Sequence, residues 1–216
     1  MKKFLKKYKH GLFFLYMFIY FPWFDYVEEK VTTRFNEIYM PLDDLIPFCA
    51  VFIIPYLLWF VYVAGFAIFF FFKDGGEFTR LCIYLGVGMT LFLIISTLYP
   101  NGHYLRPTDF ANDNIFTALV SGLYHTDTAT NIMPSIHVYN SLAVGTAVFY
   151  SKQLKENWIK IASTILMALI IMSTVFLKQH SMWDVIGAFI LGAFMWLLLY
   201  SPARIKVGKK SSAITT

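Results

Sequence analysis

Two seven-residue stretches hold most of the side chains able to do chemistry: Asn131-Ile132-Met133-Pro134-Ser135-Ile136-His137 and Lys178-Gln179-His180-Ser181-Met182-Trp183-Asp184. In the first, Pro134 and Ser135 announce a helix start, whose free N–H groups and positive dipole end make a ready anion site. His137 falls in that first turn, where it can give a proton to the leaving oxygen of a bound anion. In the second, Ser181 followed three residues later by Asp184 reads as a capping box. Capping alone accounts for Asp184. The i, i+4 spacing also brings it near His180 if the helix begins a little earlier, and a carboxylate there would hold the imidazole tautomer and strengthen it as a nucleophile. With Arg106 and Lys178 supplying positive charge, the set reads as an oxyanion site for phosphoryl transfer.

The remaining candidates are weaker. His103 and His125, taken singly, read as loop or structural residues. Together with Asp109, Asp113 and Asp127 they show no recognised metal-ligand spacing, so no metal and no cofactor is expected. Cys49 and Cys82 sit in apolar runs as small buried hydrophobes and imply no disulfide.

The elements that must position these residues are set by composition. Of 216 residues, 58% are apolar and 14% charged, against roughly 45–50% and about 25% in soluble domains. That excludes a water-soluble fold, a disordered chain and a disulfide scaffold. Twenty-three Phe, fourteen Tyr and five Trp suit lipid-facing surfaces and interfacial belts. Spans of about 20 residues are expected at 11–27, 46–72, 81–99, 134–150, 158–177 and 182–200. The fourth is unusually polar, so Ser135, His137, Asn140, Ser141 and Thr146 should face the bundle interior or a wet cavity. His137, Ser141 and Val144 share one face there, with Asn140 beside them.

With six spans, 14 of the 18 basic residues gather with the two termini, leaving Lys30, Arg34, Arg106 and Lys178 on the other side. The positive-inside rule then makes the termini cytoplasmic and the candidate site extracytoplasmic. The chain divides into a basic segment at 1–10, a six-helix membrane domain at 11–200 and a basic tail at 201–216. The start is an uncleaved first helix, because bulky Tyr20 to Phe24 offer no signal cleavage site. The connection 101–133 exceeds the length of ordinary loops and is expected to carry part of the site. Neither an internal repeat nor a low-complexity domain is evident.

In chain order, Leu105-Arg106-Pro107, Pro134-Ser135-Ile136-His137 and Ser173 through His180 to Asp184 resemble the type 2 phosphatidic acid phosphatase (PAP2) superfamily, with its motifs K-x6-R-P, P-S-G-H and S-R-x5-H-x3-D. The resemblance implies an all-α, polytopic, six-transmembrane-helix bundle. It also implies a metal-independent reaction in which His180 attacks phosphorus, Asp184 orients His180, and His137 protonates the leaving oxygen. Arg106, Ser135 and nearby backbone N–H groups, such as that of Ile136, would bind the phosphate. Three positions depart from the motifs: Tyr99 stands for the Lys, Ile136 for the Gly and Thr174 for the Arg. Lys178 is expected to take over part of the lost charge, with His103 a further substitute. This relaxed pattern is similar to the branch that includes inositol phosphorylceramide and sphingomyelin synthases.

The expected function is hydrolysis of a lipid phosphate or lipid pyrophosphate in the outer leaflet through a phosphohistidine. Head-group transfer to an alcohol is the alternative among enzymes. A non-enzymatic transporter or scaffold is the alternative of another class, although the halves lack the inverted repeats or broken spans of a transporter. The expected partners are a lipid phosphate substrate and membrane lipids, and not nucleic acid; the oligomeric state is left open.

Overall fold

The computed structural model describes residues 8–30 and 34–201. The terminal residues that would close the charge count, Lys2 to Lys7 and Arg204 to Lys210, and the tail from 202 onward lie outside the described residues. Eight α-helices account for most of the described chain: α1 (Met17–Lys30), α2 (Leu42–Leu45), α3 (Ile53–Lys73), α4 (Gly75–Leu98), α5 (Ile115–Thr126), α6 (Ile136–Tyr150), α7 (Asn157–Phe176) and α8 (Met182–Leu199). A 3-10 stretch, Lys9–Tyr16, leads into α1, and another, Ala50–Phe52, leads into α3.

Among the described residues, four helical segments are long and apolar enough to cross a membrane: Ala50–Lys73, Gly75–Leu98, Asn157–Phe176 and Met182–Leu199. They correspond to four of the six expected spans. The expectation at 11–27 falls on the 3-10 stretch and α1, which ends in Glu28, Glu29 and Lys30. The expectation at 134–150 falls on α6, whose 15 residues reach only about 22 Å. A short polar helix is tolerated there because α6 is the centre of the bundle and packs against α3, α4, α7 and α8. Nine of its residues are buried, among them His137, Asn140 and Ser141. By contrast α3 is apolar all round and buries only Ile53, Tyr56, Tyr62 and Phe70. Its Leu57, Phe60 and Val61 are exposed, the pattern of a helix facing lipid.

The third span begins earlier than expected because Asp74, the single residue between α3 and α4, accepts from the N–H groups of Gly76 and Glu77 and caps α4. Two tyrosines lock the centre. The Tyr139 hydroxyl of α6 donates to the Tyr84 carbonyl of α4 at 2.6 Å, and the Tyr84 hydroxyl donates to the Gly192 carbonyl of α8 at 2.5 Å. The approach of α4 to α6 is close enough that a Cβ at Gly88 would overlap the Tyr139 ring, so glycine is required there by space.

At one end of the bundle a two-stranded parallel sheet joins β1 (Asn36–Glu37) to β2 (Asn101–Gly102). Asn101 then organises the lead into α6: its Oδ1 accepts from the N–H groups of Ile132 and Met133, and its carbonyl accepts from that of Asn131. The long connection is partly ordered by α5, which is opened by a capping box between Asn114 and Thr117.

Candidate active site

The starts of α6 and α8 meet at the same end of the bundle, where the Ser135 N–H donates to the Asp184 carbonyl at 3.3 Å. Ser135 is the N-cap of α6, its Oγ accepting from the Val138 N–H, and Pro134 lies just before it. Ile136 is therefore the first helical residue, in the turn whose N–H groups have no intrahelical partner. The Ser181 and Asp184 capping box of α8 is formed as the spacing predicts.

Although α8 begins only at Met182, the turn before it carries His180 back to the carboxylate. His180 Nδ1 lies 3.4 Å from Asp184 Oδ2, and the same oxygen accepts from the Ser181 N–H at 2.9 Å. Both side chains are buried, His180 at 6% exposure and Asp184 at 0%. With Nδ1 donating to the carboxylate, the lone pair falls on Nε2, the tautomer a nucleophilic imidazole needs. The His137 ring is 5.7 Å from that of His180, centroid to centroid. Tyr56 and Trp59 of α3 pack on His137 at 4.6 and 4.4 Å, and its Nδ1 is buried without a hydrogen-bond partner among the described residues.

Arg106 enters from the connection before α5. Its Nη1 donates to the Tyr124 carbonyl, and its Nη2 donates to the Thr128 carbonyl at 2.8 Å and to Gln179 Oε1. The guanidinium lies 4.5 Å over the Tyr124 ring, while Nε is buried without a hydrogen-bond partner among the described residues. Burial lowers the Arg106 pKa, against the opposing charge of Asp127. Gln179 passes the contact on: its Nε2 donates to Asp127 Oδ2 at 3.3 Å, and the Tyr56 hydroxyl donates to that oxygen at 2.8 Å. Arg106 is thus connected, through Gln179, Asp127 and Tyr56, to the ring that packs on His137.

Two residues considered as substitute cations are engaged by the protein. The Lys178 ammonium donates to the Asp43 carbonyl at 2.6 Å, from a backbone with φ of 52°. His103 Nδ1 accepts from the Leu105 N–H at 3.1 Å, so its Nε2 donates to the Gln179 carbonyl at 2.9 Å. Burial first, offset in part by the Gln179 bond, pushes the His103 pKa down to about 4. It is a neutral strut that fixes the residue before His180. His125 lies in the last turn of α5.

Spacing did not reveal Asp43. Carried on α2 and 2% exposed, it accepts from the Ser181 hydroxyl at 2.6 Å and from the Met182 N–H at 2.8 Å, bracing the start of α8. Its only sequence signal is an acidic residue in an otherwise apolar surrounding, shared with Asp44. Gln179 was likewise silent, since an amide next to a histidine has no pattern of its own. The Thr174 carbonyl accepts from the N–H groups of both Gln179 and His180, which closes the turn from α7 into His180.

A cavity of about 900 Å³ lies beside this site, between the 3-10 stretch and α1, α3, α4 and the first turns of α6. Along α4 it extends from Phe78 to Leu91, about 20 Å at helical rise. Its wall is apolar apart from Tyr16, Tyr20, Trp59, Thr90 and Asn140, and Trp59, Ile136 and Asn140 form its boundary next to His137.

The family model of the PAP2 superfamily matches residues 105–205. No curated protein and no solved structure matches the chain.

Proposed function

From the match of residues 105–205 to the PAP2 superfamily, we propose that this chain has a phosphatase or related phosphotransferase function on lipid phosphates, and that it hydrolyses a lipid phosphate through a phosphohistidine. What carries this reading is the pairing of His180, its Nδ1 tied to Asp184, with a second buried imidazole, His137, 5.7 Å away. The apolar cavity next to His137 supports a lipid over a soluble phosphate ester, since it offers a hydrocarbon chain some 20 Å of apolar path.

In the proposed reaction the Nε2 lone pair of His180 attacks phosphorus as the ester P–O bond breaks. Asp184 holds Nδ1–H and stabilises the cationic ring, and the alcohol oxygen leaves with a proton from His137. Water then attacks phosphorus, giving its proton to His137, and the N–P bond breaks to return His180 and release inorganic phosphate. The unpaired Nε–H of Arg106, the Ser135 cap and the first-turn N–H groups of α6 would hold the equatorial oxygens. Lys178, bound to Asp43, would contribute its charge from behind the nucleophile's turn.

The chain is proposed to be a six-span membrane protein with both termini cytoplasmic and the site extracytoplasmic. Supporting this, Lys9, Lys73, Lys152 and Lys155 lie at the opposite end of the bundle from His180, where His10 bonds the Phe71 carbonyl and Ser151 bonds Glu77. By the charge rule that end faces the cytoplasm.

The test is phosphate release by purified protein in detergent from a panel of lipid phosphates, with EDTA and orthovanadate arms and an added-alcohol arm. Expected are release that survives EDTA, inhibition by orthovanadate, and a loss of at least about 10³-fold in His180→Asn. Release persisting in His180→Asn would remove the nucleophile assignment, dependence on metal would remove the mechanism, and a new phosphodiester in the alcohol arm would identify a transferase.

A further inference from the structure

The end of α1 grips the segment from which Arg106 is held. Glu28, in the last turn of α1, commits both carboxylate oxygens to that segment. Its Oε2 accepts from the Thr128 hydroxyl at 2.6 Å, and its Oε1 accepts from the Asn131 carboxamide at 3.1 Å. The same amide nitrogen donates to the Val27 carbonyl at 3.2 Å. Asn131 reaches α1 from a left-handed backbone, φ 54°, a conformation in which asparagine is enriched. Thr128 joins the two sides of the arrangement: Glu28 holds its hydroxyl, while its carbonyl accepts from Arg106 Nη2 at 2.8 Å.

Every group in contact with the guanidinium is neutral: the Tyr124 and Thr128 carbonyls, Gln179 Oε1 and the Tyr124 ring. The two nearby carboxylates each stand one residue further out, Glu28 behind Thr128 and Asp127 behind Gln179. Among the described residues, the only ion pair is that of His180 with Asp184. A carboxylate in direct contact would compete with a phosphate for the same N–H groups. Acting through Thr128, a carboxylate fixes the guanidinium in place and leaves its charge for an anion. Without Glu28, the Thr128 hydroxyl would keep only that of Thr130, 2.9 Å away in the same segment.

We propose that Glu28 is a positioning residue for Arg106: it holds Thr128, and through the Thr128 carbonyl it sets the guanidinium to receive phosphate, which makes α1 part of the phosphate site. This rests on the reading of Arg106 as a phosphate ligand. A plain tether between α1 and the connection would use the same hydrogen bonds but would leave anion affinity untouched.

The probes are orthovanadate and inorganic phosphate, titrated against the full-length protein in detergent. The rise in melting temperature gives the affinity, and the melting temperature without anion reports the fold. Glu28→Ala is expected to weaken both anions by about tenfold. Glu28→Gln can keep both contacts, its amide oxygen accepting from Asn131 and its amide N–H donating to Thr128 Oγ1. It should therefore stay within about threefold of the unsubstituted chain. Thr128→Val removes only a hydroxyl from an exposed side chain and is expected to weaken both anions by about fivefold. Unchanged affinity in Glu28→Ala overturns the proposal; if that variant does not melt cooperatively, unchanged affinity in Thr128→Val does so. An equal loss in Glu28→Gln and Glu28→Ala also overturns it, since charge and not placement would then decide binding. No anion binding by the unsubstituted chain removes this role together with the phosphate site. Anion binding without phosphate release from any lipid phosphate would remove the hydrolase reading and leave the role of Glu28 standing.

Discussion

His180 and His103 stand on either side of one short turn and are fixed to opposite ends. His180 gives Nδ1 to Asp184, which leaves its lone pair on Nε2. His103 has both nitrogens engaged, one by the Leu105 N–H and the other by the Gln179 carbonyl. Its depressed pKa, about 4 against an ordinary 6.5, has a consequence for stability. The unfolded chain binds a proton there between those values and the folded chain does not, so the stabilisation is complete above pH 6.5 and is lost as pH falls toward 4. The melting temperature in detergent is therefore expected to fall over that window, and to fall less steeply in His103→Gln. Parallel curves for the two proteins would show that His103 does not carry the effect. Sequence spacing singled out His137, His180, Asp184 and Arg106, because each stands in a motif or at a helix start. It could not assign the nitrogens of His103, which depend on a backbone carbonyl 76 positions away.

Among the elements, the turn between α7 and α8 is held from three directions: by the Thr174 carbonyl, by Asp184, and by Asp43 from α2. Asp43→Asn removes the charge that receives the Ser181 hydroxyl and the Met182 N–H. Hydrogen bonds to a charged group contribute about 1.5–3 kcal/mol, so a stability loss of that order is expected by thermal or denaturant melting. Turnover should fall with a larger effect on kcat than on KM, since the residue touches the turn and not the substrate. A change in KM alone would place Asp43 in substrate binding instead. The start of α8 was legible from its capping box, and the start of α4 was not, because Gly75 and Gly76 read as a break and conceal the Asp74 cap. The long connection looked irregular because α5 is short and half-buried. Only the placement of Tyr124 against Arg106 and the Leu177 carbonyl shows why a helix is needed there.

For the molecule as a whole, apolar composition was enough to announce a membrane protein, and the polar fourth span was enough to place α6 inside. The shortness of α6 was legible too, since it starts only two residues after the expected segment and ends with it; burial by neighbouring helices replaces the length that lipid would demand. Orientation is tested by a single cysteine. With the free Cys49 and Cys82 replaced by Ala, Asp113→Cys, exposed before α5, should react with a membrane-impermeant maleimide on intact cells. Labelling only after permeabilisation would invert the proposed topology.

The family match begins at residue 105, yet Asp43, Tyr56 and Trp59 all come before it. A transplanted 105–205 segment would inherit the two histidines without the acid that braces the turn carrying one or the aromatic rings that seat the other. The two histidines are thus portable as a motif while their placement is a property of the entire chain. Grafting this chemistry onto another scaffold would require bringing α2 and α3 along with it.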